Sequence, residues 1–293
     1  MGYLYDGPVA PRKGNRRRGP PPGDAVGCVP PLRSHPSRSS ADMPTSLTSP
    51  DQDDYDGPDE RVLRCVIAYN MYGGYALPRS SMHRPCAQAI LAGRTWEPIT
   101  VAALERFGRQ GDLVHAGTFF GDMLPAASRA CGPSGIVWAC EPNHENFRCA
   151  SMTIAINGLT NVHLHHGALG EKPCLGQLMV SSRAGVALGG GSRVVEPGSV
   201  PPETSYQVPF LRIDDLVPAD RPVSLIQLDV ERHERQALTG ALATIRRCRP
   251  AIIVETLPDD AWIAAHLTPL GYGQTGMVGP NALLEAPPGG AVS

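Results

Sequence analysis

Aromatic side chains are scarce, at 5% of 293 residues, and charge of neither sign dominates, since 26 Lys and Arg stand against 28 Asp and Glu. A chain so balanced carries no general electrostatic footprint for nucleic acid or an anionic membrane surface, so any partner must be recognised locally. No run approaches the roughly 18 to 20 uninterrupted apolar residues of a membrane span. The first residues offer Pro, Gly and Arg where a secretory leader needs a continuous apolar stretch. The expectation is a cytoplasmic protein without nucleic-acid or membrane partners. None of the eight cysteines is spaced C-x-x-C, which argues against structural zinc and thioredoxin-like chemistry and leaves reduced, mostly buried thiols as the reading.

What is present is apolar material, 42% of the chain, enough for at least one substantial core. The 32 glycines and 30 prolines are unevenly placed. Residues 1–55 are rich in them, as in PRKGNRRRGPPPG, and show no hydrophobic period, so they read as a disordered tail. Its Arg12, Lys13, Arg16, Arg17 and Arg18 read as a solvated basic run, and Met43 is an alternative start. Residues 56–110 are expected to form an N-terminal helical cover, with ordered structure beginning near Val62. An alternating segment, RVLRCVIAYN, leads into the turn-rich MYGGYALPRSS and two helices, HRPCAQAILAG and EPITVAALERFGR, the second with Pro98 near its first turn.

From Gly111 to Ser293 strands and helices alternate, the pattern of an α/β doubly wound, mostly parallel sheet. Strands are expected at DLVHAG, GIVWACEP, NVHLHHGAL, VSLIQLDVE, AIIVET and NALLEA, with helices at MLPAASRAC, HENFRCASMTIAINGL, ERQALTGALATIRRC and DDAWIAAHLTPLGY. Residues 171–208 are too long and too rich in Gly, Pro and Ser for an ordinary connection. Within them, 181–204 read either as a lid over an acceptor or as a disordered insertion.

In such sheets ligands bind beyond the carboxyl ends of the strands. After the first strand comes His115-Ala116-Gly117-Thr118-Phe119-Phe120-Gly121, with Gly117 permitting a sharp turn and Gly121 close packing. The second strand ends in Glu141-Pro142-Asn143. A carboxylate at that tip suits the ribose hydroxyls of an adenosyl cofactor, and an acid near a helix N-terminus is equally compatible with a dipole role. A dinucleotide would call for G-x-G-x-x-G, whose middle glycine admits the pyrophosphate. Here that position is Phe119, which would crowd a diphosphate yet could wall S-adenosylmethionine, whose sulfonium an aromatic face attracts.

These segments, VHAGTFFG, ACEPNHENF and LIQLDVERHE, with NGLTNVHLHHGALGE between the last two, resemble the FkbM family of S-adenosylmethionine-dependent methyltransferases from about Gly111 to Pro258. The resemblance implies a Rossmann-like class I methyltransferase sheet of seven strands, with NALLEA antiparallel to the rest. It implies that Gly117, Thr118 and Gly121 form the methionine-side turn, that Glu141 is the ribose acid with Pro142 and Asn143 beside it, and that Ala168 and Leu169 contact adenine. Asp229, Glu231 and Glu234 match the acidic positions after the fourth strand. Three residues depart from the family. His115 stands where an acid usually contacts the cofactor, Gln227 replaces a Lys, and Arg232 replaces a Gly.

The reaction so implied is methyl transfer from S-adenosylmethionine to a small-molecule or carbohydrate-like acceptor, expected at oxygen. A hydroxyl acceptor needs its proton removed, and His233, with Asp229 as alternative or orienter, is the candidate base. The surface or capping role common for a histidine in a first helical turn stands beside that reading. His163 and His165 alternate to one strand face and His166 to the other, so no metal site is assigned. A nucleotide-dependent oxidoreductase and a non-catalytic adenosyl-binding relative remain the alternatives. Acceptor identity and oligomeric state stay open.

Overall fold

The structure, a computed structural model, describes residues 62–132 and 134–287. The Pro-rich tail, its basic run and Met43 lie outside the described residues. Cys65–Asn70 (β1) and Gly73–Pro78 (β2) form an antiparallel hairpin. The turn-rich reading of MYGGYALP is therefore corrected, because Tyr75, Ala76 and Leu77 are fully buried strand residues. What holds β2 is tertiary, the Ala76 amide donating to Thr153 Oγ1 at 3.1 Å and the Gly74 amide to Asn157 Oδ1 at 2.9 Å. Pro85–Leu91 (α1) and Pro98–Gly108 (α2) follow, each opened by a proline, whose missing N–H costs nothing in a first turn. The cover is thus strand and helix, rather than helical alone.

Asp112–Ala116 (β3) starts the main sheet, and Leu124–Ala130 (α3), Val137–Glu141 (β4), His144–Asn157 (α4) and Val162–His166 (β5) continue it. Asn143 caps α4 by accepting from the amides of Glu145 and Asn146, and Gly158 ends it at φ 60. Residues 171–208, expected as an irregular connection, are ordered. Ala168–Leu169 (β6), Cys174–Met179 (β7), Arg193–Val195 (β8) and Ser205–Leu211 (β9) make a separate four-stranded sheet in the order β6-β9-β7-β8. A disordered insertion is therefore excluded for 181–204.

Ile213–Leu216 (α5), Val223–Leu228 (β10), Glu234–Thr239 (α6), Leu242–Cys248 (α7), Ala251–Val254 (β11), Asp260–His266 (α8), Gly273–Val278 (β12) and Asn281–Glu285 (β13) complete the chain. The single helix expected over 234–248 is broken between α6 and α7. A Cβ at Gly240 would collide with the Gly170 carbonyl, and the Gly240 carbonyl accepts from the Asp214 amide at 3.0 Å. The seven-stranded sheet has the order β12-β13-β11-β10-β3-β4-β5. Its strands are parallel except β13, which is antiparallel to both neighbours, as the resemblance implied. β12 was not anticipated.

β3 is buried along its whole length, as expected for a parallel strand covered on both faces. Alternation then divides it. Val114 and Ala116 join Ile226 and Leu228 in a core beneath α6, α7 and α8, whereas Leu113 and Leu225 face α2 and α3. The chain runs from β3 outward to β5 and returns through β10 on the other side, so strand order reverses between β3 and β10. The Asp229 amide closes that point by donating to the Ala116 carbonyl at 3.0 Å.

Candidate active site

Both chemistry-bearing turns leave the sheet at this switch point. Gly117 has φ +83, and a Cβ there would collide with the Asp229 carbonyl oxygen, so only glycine lets the β3 turn pass the β10 turn. Beyond the strand tips lie two cavities that share Gly117, Asp229 and Gly190. The first is lined also by Glu141, Pro142, Ala168, Leu169, Val230 and His233. The second, of about 190 Å³, is bordered by His115, Phe119, Asp122, Gln227 and Glu231, with Arg84, Trp96 and Glu97 reaching in from the cover. Sheet alternation explains the division, since Ala116 faces one cavity and His115 the other.

Glu141, 4% exposed, stands between the β3 turn and α4. Its Oε2 accepts from the Phe119 amide at 2.7 Å, and its Oε1 from the Asn143 amide at 2.9 Å and Asn146 Nδ2 at 3.3 Å. A carboxylate offers about four acceptor positions, so one remains, on Oε2. The sequence reading gave Glu141 to both ribose hydroxyls, but the geometry leaves it one, because most of its capacity ties the glycine turn to β4.

The methyltransferase FkbM domain matches residues 115–268, just over half of the chain. The chain belongs to the FkbM methyltransferase family. No curated protein sequence matches it. Among solved structures, an FkbM methyltransferase from Methylobacillus flagellatus KT shares 18% identity at a TM-score of 0.39, over 60% of this chain and 43% of that one. This chain thus spans under half of that relative. A SAM-dependent methyltransferase from Aquifex aeolicus shares 16% identity at a TM-score of 0.37, over 70% and 93% of the two chains. A methyltransferase from Geobacter sulfurreducens shares 16% identity at 0.39, over 70% and 86%.

Within this FkbM domain the structure sorts the residues read from the sequence. Gly117, Glu141, Pro142, Ala168, Leu169, Asp229 and His233 come together around the first cavity. His115 and Phe119 do not, and line the second. Thr118 and Asn143 line neither cavity. Thr118 is fully buried with Oγ1 donating to the Cys140 carbonyl at 3.0 Å, and Asn143 is the cap of α4, its Nδ2 donating to Ser192 Oγ at 3.0 Å. Gly121 packs on Leu124 and Thr153. Phe119 adopts φ 51, a conformation that non-glycine residues rarely take. Its amide bond to Glu141 and its buried ring, 4.5 Å from that of Phe120, hold it there. Arg232, at the family's glycine position, adopts φ 73. Glu234 is buried and accepts from the Val230 amide at 3.3 Å, a turn-closing role.

Residues 171–208 roof the site. Leu178, Ser192 and Val194 close the first cavity, and Gly190 borders both. A Cβ on Gly189 would lie 2.6 Å from Ser81 Oγ, and one on Gly190 3.3 Å from Phe119 Cδ1, so the roof rests on the cover and the turn as bare backbone. Sequence reasoning missed Arg84, Trp96, Glu97 and Asp122. Only Asp122, directly after Gly121, carried a local signal.

The site is electrostatically loaded. Burial pushes Glu141 up to about 7 and Asp122 up to about 7. Burial, with Glu255, Glu231, Glu97 and Asp122 nearby, pushes Asp229 up to about 8. Burial takes His115 down to about 4, against a smaller upward effect of its bond to Gln227. Between about pH 4 and 7 to 8 the folded protein therefore keeps more proton on these three acids than the unfolded chain does, so their contribution to stability falls across that window and is gone once pH has risen through 7 to 8. His115 acts oppositely, but its gain is complete near its ordinary value of 6.5. Thermal unfolding is expected to show a melting temperature that falls from pH 6.5 to 8.5, less steeply in Asp229→Asn. A flat wild-type profile would contradict the assignment.

Proposed function

We propose that this protein transfers a methyl group from S-adenosylmethionine to a hydroxyl of a small-molecule or carbohydrate-like acceptor in the cytoplasm, without nucleic-acid or membrane partners. The supporting observation is that Gly117 and Glu141, on neighbouring strand tips of an FkbM domain, line one cavity with Ala168 and Leu169. These residues fit an adenosyl group. Glu141 keeps one acceptor position for a ribose hydroxyl, Ala168 and Leu169 give an apolar bed for adenine, and Gly117 brings bare backbone to the sulfur end. When bound, the cofactor supplies an electrophilic methyl on a sulfonium.

The remaining work falls to this chain. The roof and the cover exclude water and hold the acceptor behind the methyl, and alignment of that kind is worth roughly 7 to 11 kcal/mol. Asp229 borders both cavities, whereas His233 borders only the first, with its ring 5.4 Å from that of Phe210. Asp229 is accordingly the proton acceptor in this reading, and His233 a wall of the adenosyl side.

Calorimetry tests the reading. S-adenosylhomocysteine is expected to bind and NAD not to, and Glu141→Ala to weaken binding roughly 10- to 100-fold, the loss of one charge-assisted hydrogen bond. Binding of NAD alone would favour the oxidoreductase, which Phe119 at the middle turn position opposes. The non-catalytic alternative rests on His115 and Gln227. Tight adenosyl binding with no methyl transferred to a broad panel of hydroxylated acceptors would support it.

A further inference from the structure

The turn after β10 carries two consecutive non-glycine residues in the left-handed region, Glu231 at φ 54 and Arg232 at φ 73. Side chains rarely adopt that backbone, and where they do the surroundings over-determine it, commonly at a ligand site. Here the turn brings Glu231 to the second cavity and leaves Arg232 exposed beside it. Two more arginines converge on the same carboxylate. A Cβ on the buried Gly191 would lie 3.1 Å from Arg84 Nη2 and 3.6 Å from Glu231 Oε1, so the bare roof leaves room for both heads. Arg193 follows two residues later, and alternation turns it off the first cavity, which Val194 closes. Burial and Glu255 raise the Glu231 carboxyl from its ordinary value, whereas Arg84, Arg193 and Arg232 oppose them.

Among the described residues none of the three arginines makes a salt bridge or a side-chain hydrogen bond. The other carboxylates of the second cavity do little to neutralise them. Burial holds protons on Asp122 up to about 7 and on Asp229 up to about 8, and Glu97 accepts from Thr100 Oγ1 at 2.8 Å. Three positive heads thus gather round the Glu231 carboxylate at the border of the acceptor space. Guanidiniums so placed suit an oxyanion, which each can bind through a fork of N–H donors.

We propose that Arg84, Arg193 and Arg232 clamp a carboxylate or phosphate on the methyl acceptor, so that the protein selects acidic acceptors over neutral ones. That this oxyanion belongs to an acceptor rests on the methyltransferase reading, whereas the site itself does not.

Saturation-transfer NMR on the full chain, with and without saturating S-adenosylhomocysteine, compares glucuronate and glucose 6-phosphate with neutral glucose. At least one of the acids is expected to bind about tenfold or more tighter than glucose, the worth of one charge-assisted hydrogen bond. Which of the two it is tells a carboxylate from a phosphate. Arg84→Gln, Arg193→Gln and Arg232→Gly are each expected to reduce that preference while leaving the affinity for glucose unchanged. Arg232→Gly also removes a strained residue, so its melting temperature should be no lower than that of the wild type, which separates lost recognition from lost folding. No preference among the three sugars, or one that survives every substitution, would overturn the proposal. So would weaker S-adenosylhomocysteine binding in the variants without any sugar preference, which would give the arginines to the cofactor. If S-adenosylhomocysteine fails to bind the wild type and the preference persists in the free protein, the methyltransferase reading falls and the oxyanion site stands.

Discussion

Gly117→Ala is expected to abolish adenosyl binding and to destabilise the fold by about 2 to 5 kcal/mol, a methyl at φ +83 costing roughly 1 to 2 and the forced separation of two backbone turns roughly 1 to 3. The loss is unusually large for the addition of one methyl, because the atom in its way is the Asp229 carbonyl oxygen. Backbone cannot move aside by changing rotamer. The two turns that would be pushed apart are those leaving β3 and β10, which together floor both cavities. Chemical denaturation gives the stability and calorimetry with S-adenosylhomocysteine the binding. An alanine variant that unfolds like wild type and binds normally would show that the two turns do not pack as described.

The second large effect concerns turnover. Asp229→Asn is expected to lower kcat by about 10²- to 10⁴-fold, the usual worth of a positioned proton acceptor, with a smaller change in affinity for S-adenosylhomocysteine. A base works deprotonated, so the wild-type rate should rise with pH along an acid limb at or below about 8, the value to which burial and neighbouring carboxylates push Asp229. A bound sulfonium would draw that limb lower. The Asn variant should lack the limb, and His233→Ala should retain it. The reverse pattern would transfer the role to His233.

Much of this was legible in the chain. The strands that are buried on both faces announce themselves as short apolar runs, and β3, β4 and β10 are fixed that way together with their tips. Elements held by distant partners were not. β2 looks like a turn because two glycines open it, and only Thr153 and Asn157, far along the sequence, make it a strand. β12 is a mostly exposed stretch of GQTGMV that lacks an apolar alternation. The break between α6 and α7 depends on Gly240 lying against Gly170. The small sheet of β7, β8 and β9 is built from pairings across a Gly- and Pro-rich stretch that no local pattern marks.

The same division holds at the site. Gly117 and Glu141 could be found because strand-tip chemistry is local. Arg84 and Trp96 could not, since nothing in the sequence states that the cover closes against the β3 turn, and Asp122 had only its place after Gly121 to mark it. His115 is intermediate. It was singled out by position as a residue expected to contact the cofactor, and the structure puts it on the second cavity because strand alternation turns it away from the face that Ala116 shows to the first.

The glycine roof constrains how such a protein can diversify. A side chain at Gly189 would meet Ser81 Oγ at 2.6 Å and one at Gly190 would press on Phe119 at 3.3 Å, so a lineage that shifts to a different acceptor retunes its preference there only by displacing those neighbours. Novelty is more readily written into the opposite wall, at Arg84, Trp96 and Glu97, which stand at the entrances to α1 and α2.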